Sequence, residues 1–477
     1  MAGADTIERL RQFLRELAPQ ARSMLIGEIE RSLLREEQAA GADAALHELL
    51  LQELRRVVRD QRAGVPRIGS AARLFFKPLE PFLVDDRADH NHPGRIARSS
   101  LEPLWTWIRR DLLPQDANIL AGEVSAALLG NNEPQADHIT RAFQDRVVIV
   151  IDTNLEAAAS DEAIRRRMLA QIGTHRAYED ATTLKCALNG RDALATLAAH
   201  LPLRIGNLAR SQLDECKAMV ERASVRNGEL FLYALLTVMS RLAAPWQLIR
   251  LGVKAAGSDT AARVAETHYG VAISIVLADL ERMVGELRDD LRSGRGVAVC
   301  AMLKTIHDAL RGLRTELDLP VDSTWGRALS ALRAQIADLL RAEIESMPGR
   351  VRRLLRPRPS IEIRPNSELD AGEVVETEML VEFVGACRLF AGELAINEMT
   401  QRTFAELQQY LDSGMRSLLD GVRHAGMADR SFRQSQVDAA VRFCAKVFGK
   451  QYASLLDKAA EVASAKERKT ARAIGLA

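Results

Sequence analysis

The sequence predicts an all-α protein, built as several bundles or as an irregular helical solenoid, with no significant sheet. Three observations predict it. Apolar residues recur at three- and four-residue spacing almost from end to end. Leu, Ala and Arg dominate while aromatic residues make up only 4% of the chain, a bias that favours helix over strand. No repeat recurs at a fixed period, so a regular TPR or HEAT array is not expected.

The elements follow from these spacings. Ile7, Leu10, Leu14 and Leu17 form one stripe and Leu46, Leu50, Leu54 and Val57 a second, parted by Gly41-Ala42-Asp43, so residues 1–61 read as a helical pair. Residues 62–98 hold Pro66, Gly69, Pro78, Pro81, Pro93 and Gly94 and read as irregular chain. Leu74, Phe75, Phe76, Leu79, Phe82 and Leu83 give that stretch an apolar side, which predicts that it packs on the core. The main helical body is expected over 99–346. Ser99-Ser100 is placed to cap a helix carrying Leu104, Trp105, Trp107 and Ile108, and Ser160 to start another with Asp161 and Glu162 near its positive end. Further helices read at 192–200, 213–223, 229–253, 259–291 and 301–317, and Ser323 can cap the stripe Leu329, Leu332, Ile336, Leu339, Ile344. His268 falls on the apolar face of the 259–291 helix and reads as a core residue. A C-terminal helical module, read as helices over 380–424 and 431–465, occupies 379–465, and 466–477 is a basic tail.

Composition narrows the function. Lys and Arg exceed Asp and Glu by one charge, so no global field draws the chain to nucleic acid or membrane. The five cysteines (Cys186, Cys216, Cys300, Cys387, Cys444) form no C-x-x-C pair, which argues for buried thiols in a reducing, cytoplasmic setting. The most apolar run, Leu230–Met239, is half the ~20 residues that span a bilayer.

Few motifs carry chemistry. Asp85, Asp86, Asp89, His90 and His92 are the densest set of metal-ligand types, although their spacing matches neither an EF-hand loop nor H-E-x-x-H. Gly252–Gly257 lacks the lysine of a phosphate loop and reads as a helix end, with Ser258 capping the next helix. His307 and Asp308, as sequence neighbours on a helix, are expected on different sides. Val147–Ile151 followed by Asp152-Thr153-Asn154 resembles the opening of PIN-domain nucleases, which implies a strand delivering Asp152 to a metal. The same residues also fit a helical stripe, Phe143, Val147, Val150, Leu155.

The sharpest feature is a charge reversal. Pro348-Gly349 is expected to end a helix and open a linker over 347–378. Arg350, Arg352, Arg353, Arg356 and Arg358 come first, and Glu362, Glu368, Asp370, Glu373, Glu376, Glu378 and Glu382 follow. The five arginines are the candidate binding residues. Extended, the ten residues from Arg358 to Glu368 span roughly 33 Å, several times the ~8 Å screening length. The two runs therefore act independently unless the chain folds back, in which case the segment is a clasp. The functional expectation is a non-enzymatic helical scaffold or adaptor for protein partners, without cofactor. The alternatives are a peripheral membrane or nucleic-acid contact protein using Arg350–Arg358, and a metal-dependent enzyme using 85–92.

Overall fold

The computed structural model describes residues 71–85, 93–225, 227–292 and 296–473, in two compact units. The helical pair expected over 1–61 and most of the metal-ligand cluster lie outside these residues. Among them the protein is all-α, with one exception. β1 (Leu83–Val84) and β2 (Ile96–Ala97) form a two-residue parallel pair.

The first unit holds α1 (Ala71–Phe76), α2 (Leu101–Trp107), α3 (Pro114–Leu129), α4 (Glu133–Ser160), α5 (Glu162–Ile172) and α6 (His175–Asn189). A π-helical turn, Ile108–Leu112, follows α2. An aromatic cluster sits in the unit's core: Phe75 meets Trp105 at 5.3 Å and Phe143 at 5.7 Å, and the buried Gln144 donates to the Phe75 carbonyl at 2.7 Å. Caps set the boundaries. Asn132 accepts from the Gln135 amide ahead of α4, and Asp161, one residue beyond the expected Ser160, accepts from the Ala163 amide ahead of α5. Val147–Ile151 lies inside α4, and Asp152 pairs with Lys185 at 3.0 Å. Helix, not the strand of the nuclease resemblance, takes these residues, because Phe143, Val147 and Ile151 share one buried face.

The second unit takes the described residues within 81–98 and those from Gly190 on. Its first part contains α7 (Arg191–His200), α8 (Arg210–Ser224), α9 (Leu230–Met239), α10 (Ile249–Ala256) and α11 (Ala261–Ala265). The helix expected over 229–253 is therefore broken. Pro245, which has no N–H to continue the ladder, opens a 3₁₀ turn through Leu248 instead. The helix expected over 259–291 breaks between α11 and α12 (Gly270–Arg292). Gly257, at φ +61°, ends α10 as the sequence implies. His268 is exposed, stacked edge-on against Phe231 at 4.6 Å, while its neighbour Tyr269 takes the buried position.

The remainder is helical bundle: α13 (Gly296–Glu316), α14 (Thr324–Leu355), α15 (Ala371–Phe390), α16 (Asn397–Arg423), α17 (Arg430–Phe448) and α18 (Lys450–Ala473). The two expected C-terminal helices are each divided, the second at Gly449 with φ +92°. Helices α12, α13, α15 and α14 pack in a ring. Helices α14 and α15 then pack against α16 and α17, with α18 lying across α16 and α17. Helix α14 is thus common to two bundles.

That sharing explains the largest departure from the expected boundaries. Helix α14 runs through Pro348-Gly349 to Leu355, although an interior proline costs about 3 kcal/mol. Ile344, Met347, Pro348, Val351, Leu354 and Leu355 are all buried, one apolar stripe carried past the proline. Burying a single such side chain returns about 1.5–3 kcal/mol, so packing outweighs the local penalty.

Close approach fixes one further point. A Cβ on Gly312 of α13 would stand 2.4 Å from Trp246 Cε3, so glycine lets the indole lie on the helix. Gly312→Ala is expected to lower stability by about 1–2 kcal/mol, since overpacking against a rigid ring exceeds the helix-propensity gain. Gly349→Ala, in a helical position with nothing within 4 Å, is expected to raise it by up to about 1 kcal/mol. Urea denaturation of both variants checks the pair, and a loss at Gly349 would contradict the continuous α14.

Candidate functional site

The arginine-rich segment and the acids beyond it meet on the same group of helices. Helix α14 ends at Leu355, and Pro357 and Pro359 prevent its continuation. Its last carbonyls consequently need partners from elsewhere. Gln436 of α17, only 2% exposed, supplies them: its amide donates to the Leu354 carbonyl at 2.9 Å and the Arg356 carbonyl at 3.0 Å.

One turn earlier on the same face, Arg433 donates to the Ser360 hydroxyl at 3.1 Å and the Arg358 carbonyl at 3.4 Å. A further turn back, Asp429, 3% exposed, accepts from Arg433 at 2.7 Å and from Ser360 at 2.8 Å. These positions, i, i+4 and i+7, form one stripe. A neighbouring stripe holds the far end of the linker. Ser435 accepts from the Leu369 amide at 3.0 Å, and Ser431 donates to Glu368 at 2.6 Å. Asp370 then caps α15, accepting from the Gly372 and Glu373 amides. The connection between helices is therefore 356–370, shorter than the sequence suggests, and it is pinned along its length.

The candidate arginines divide. Arg352 pairs with Glu406 of α16 and lies 5.7 Å from the Tyr410 ring centre. Arg353 pairs with Glu373. Arg356 reaches Glu362 at 3.7 Å, and Arg358 stacks on Phe432 at 5.1 Å. Two members of the acidic run find other cations: Glu378 pairs with Arg442, and Glu382 with Lys446 at 2.7 Å. The two charged runs are thus matched partly by each other, at Arg353–Glu373 and Arg356–Glu362, and partly through α16 and α17. These pairs are exposed and each contributes at most about 1 kcal/mol, so they set register more than stability.

Arg350 differs. It stands at a cavity of about 330 Å³ between α12, α13, α14 and α15. Val299, Leu380 and Phe383 form its buried apolar floor, with Leu291 and Met379 beside them. Glu343 and Arg350, two turns apart on α14, and Glu376 on α15 line it with Asp290 and Arg292 from the end of α12. Among the described residues the side chains of Arg292, Glu343, Arg350 and Glu376 form no ion pair or hydrogen bond. Volume and lining fall in the range of small-molecule or anchor-residue pockets.

Of the metal-ligand candidates, Asp85 pairs with Arg98 at 3.2 Å, while Asp86, Asp89, His90 and His92 lie outside the described residues. No group of three or more His, Cys, Asp or Glu among the described residues is placed to hold a metal ion. His307 and Asp308 do meet, at 3.1 Å, because the ring swings along the helix to its neighbour. Burial pushes the thiols of Cys216 and Cys300 up to about 11 and that of Cys444 up to about 12, which keeps them protonated at neutral pH and poor nucleophiles.

Sequence reasoning missed the cavity floor and the Asp429, Arg433, Gln436 stripe. Only the second left a signal: three polar residues at helical spacing on a helix otherwise apolar on that side.

Burial drives the Asp429 carboxyl upward, but hydrogen bonds from Arg433 and Ser360 and the guanidinium charge outweigh it, holding its pKa below the usual range. A depressed carboxyl stabilises the fold above its unfolded pKa and loses that contribution as pH falls through the folded value. Acid titration followed by linker-sensitive fluorescence is expected to loosen the clasp only below pH ~4. Asp429→Asn is expected to be less stable at pH 7 and to lose this acid-dependent step.

Comparison of the chain with known protein families, curated proteins and solved structures finds no match.

Proposed function

We propose that the chain is a non-enzymatic helical adaptor that captures a protein partner at the Arg350 cavity. The observation that carries this reading is the combination of a buried apolar floor with four charged side chains, Arg292, Glu343, Arg350 and Glu376, that have no partner among the described residues. An apolar anchor entering the cavity would desolvate Val299, Leu380 and Phe383, and flanking groups of both signs would meet Glu343, Glu376, Arg292 and Arg350. Anchors of this kind dominate many interfaces. Charges at the rim add specificity more than affinity.

No helix among the described residues is long and apolar enough to cross a membrane. The five free cysteines support a reducing compartment, and the cytoplasm is the setting this reading assigns.

Affinity purification from the native cell tests the proposal with three forms of the full chain. Wild type is expected to retain a partner that Arg350→Ala plus Glu376→Ala reduces roughly tenfold, in line with the loss of anchoring contacts. Arg352→Ala, Arg353→Ala and Arg356→Ala together are expected to retain it, since those side chains are occupied within the chain. Retention by the cavity variant and loss by the triple variant would move the contact to the arginine segment. Recovery of no specific partner by wild type would overturn the adaptor reading.

A further inference from the structure

Ile361 and Met427 are the most exposed large apolar side chains among the described residues, at 94% and 90%. They lie on two segments that are fastened together. Ser360, next to Ile361, donates to Asp429 at 2.8 Å, and the Asn366 amide donates to the carbonyl of Ala428, next to Met427, at 2.9 Å. Neither side chain is exposed through looseness of its segment. Ile361 sits in the 3₁₀ turn Ser360–Glu362, bracketed by Pro359 and Pro365, and Ile363 beside it is buried. The turn presents one isoleucine to the core and the other to solvent.

The surroundings are cationic. Arg356, Arg358 and Arg364 lie on the linker, and Arg430 is exposed at the start of α17. Glu362 is partnered by Arg356, Asp429 is neutralised by Arg433, and Arg423 is matched by Asp420. The side chain of Arg364 has no partner among the described residues. Glu368 and Asp370 stand further along, engaged with Ser431 and the first turn of α15.

We propose that this end of the bundle is a contact surface for anionic phospholipid, in which Ile361 and Met427 enter the bilayer interface while Arg364, with Arg358, meets the headgroup phosphates. Two isolated apolar tips are poor material for a protein interface, which needs roughly 800 Å² of complementary surface on each side. A bilayer interface accepts such tips without shape complementarity, and arginines beside them add attraction to anionic lipid. Nucleic acid would use the arginines but would leave the two apolar tips without a role. The contact is independent of the Arg350 cavity and stands or falls separately from it.

Vesicle sedimentation of the full chain tests it, using phosphatidylcholine vesicles with and without phosphatidylserine at low and physiological salt. Wild type is expected to sediment with the phosphatidylserine vesicles and not with phosphatidylcholine alone, and to be released by salt. Ile361→Ser plus Met427→Ser is expected to lower the bound fraction roughly tenfold, with unchanged thermal unfolding because both side chains are in solvent. Arg364→Glu is expected to lower it by a similar factor, about tenfold. Absence of wild-type retention at low salt overturns the proposal. So does full retention by the serine variant, which would reduce the contact to charge alone, or binding of double-stranded DNA or RNA without binding of the vesicles.

Discussion

One polar stripe on α17 decides how the C-terminal half of the chain is put together. Gln436 and Arg433 donate to the linker carbonyls that the prolines leave without backbone partners, and Asp429, at the start of the same stripe, holds Arg433 and accepts from the Ser360 hydroxyl. The reason is a shortage of donors: a helix that stops at a proline-rich segment exposes several carbonyls, and burying them unpaired would cost about 1–3 kcal/mol each. Gln436 turns that liability into a fixed point. Once the α14 end is fixed, the linker follows the face of α17, and α15 begins where Asp370 can cap it.

The consequence reaches both bundles. Helix α14 serves as a wall of each, so its position is set from two sides, and its apolar stripe continues past Pro348 because each turn has a neighbour to pack on. The cavity beside Arg350 lies where α14 and α15 pass the end of α12 and the start of α13. There Arg292, Glu343, Arg350 and Glu376 have no side-chain partner among the described residues, while Arg352 and Arg353, one turn away, are matched to Glu406 and Glu373. A rotation of α14 by a fraction of a turn would exchange these roles. The clasp therefore determines which arginine faces the cavity.

The helical class was legible because periodic apolar spacing is a direct record of one buried face. Helix breaks were less so. Pro245 falls at a break between helices while Pro348 lies inside one, and the difference lies in what packs around each proline, which no local pattern records. The charge reversal was visible, and folding back was one of its two foreseeable outcomes. The partners were not, since Glu406, Arg442 and Lys446 lie 54 to 64 residues away in sequence from the side chains they meet. The cavity floor was illegible for a different reason. Val299, Leu380 and Phe383 look like any core residues, and only packing reveals that a space is left between them.

Hydrogen exchange of the linker amides tests the account most directly, because the central claim is that α17 holds residues 356–370 in place. The Asn366 and Leu369 amides, bonded to the Ala428 carbonyl and the Ser435 hydroxyl, are expected to exchange slowly in the native protein. In Gln436→Leu, which keeps the apolar bulk of the side chain but removes its donors, both are expected to exchange at least tenfold faster, as loss of about 1.4 kcal/mol of local stability would produce. Fast exchange at both amides in the native protein, or protection unchanged by the substitution, would contradict it.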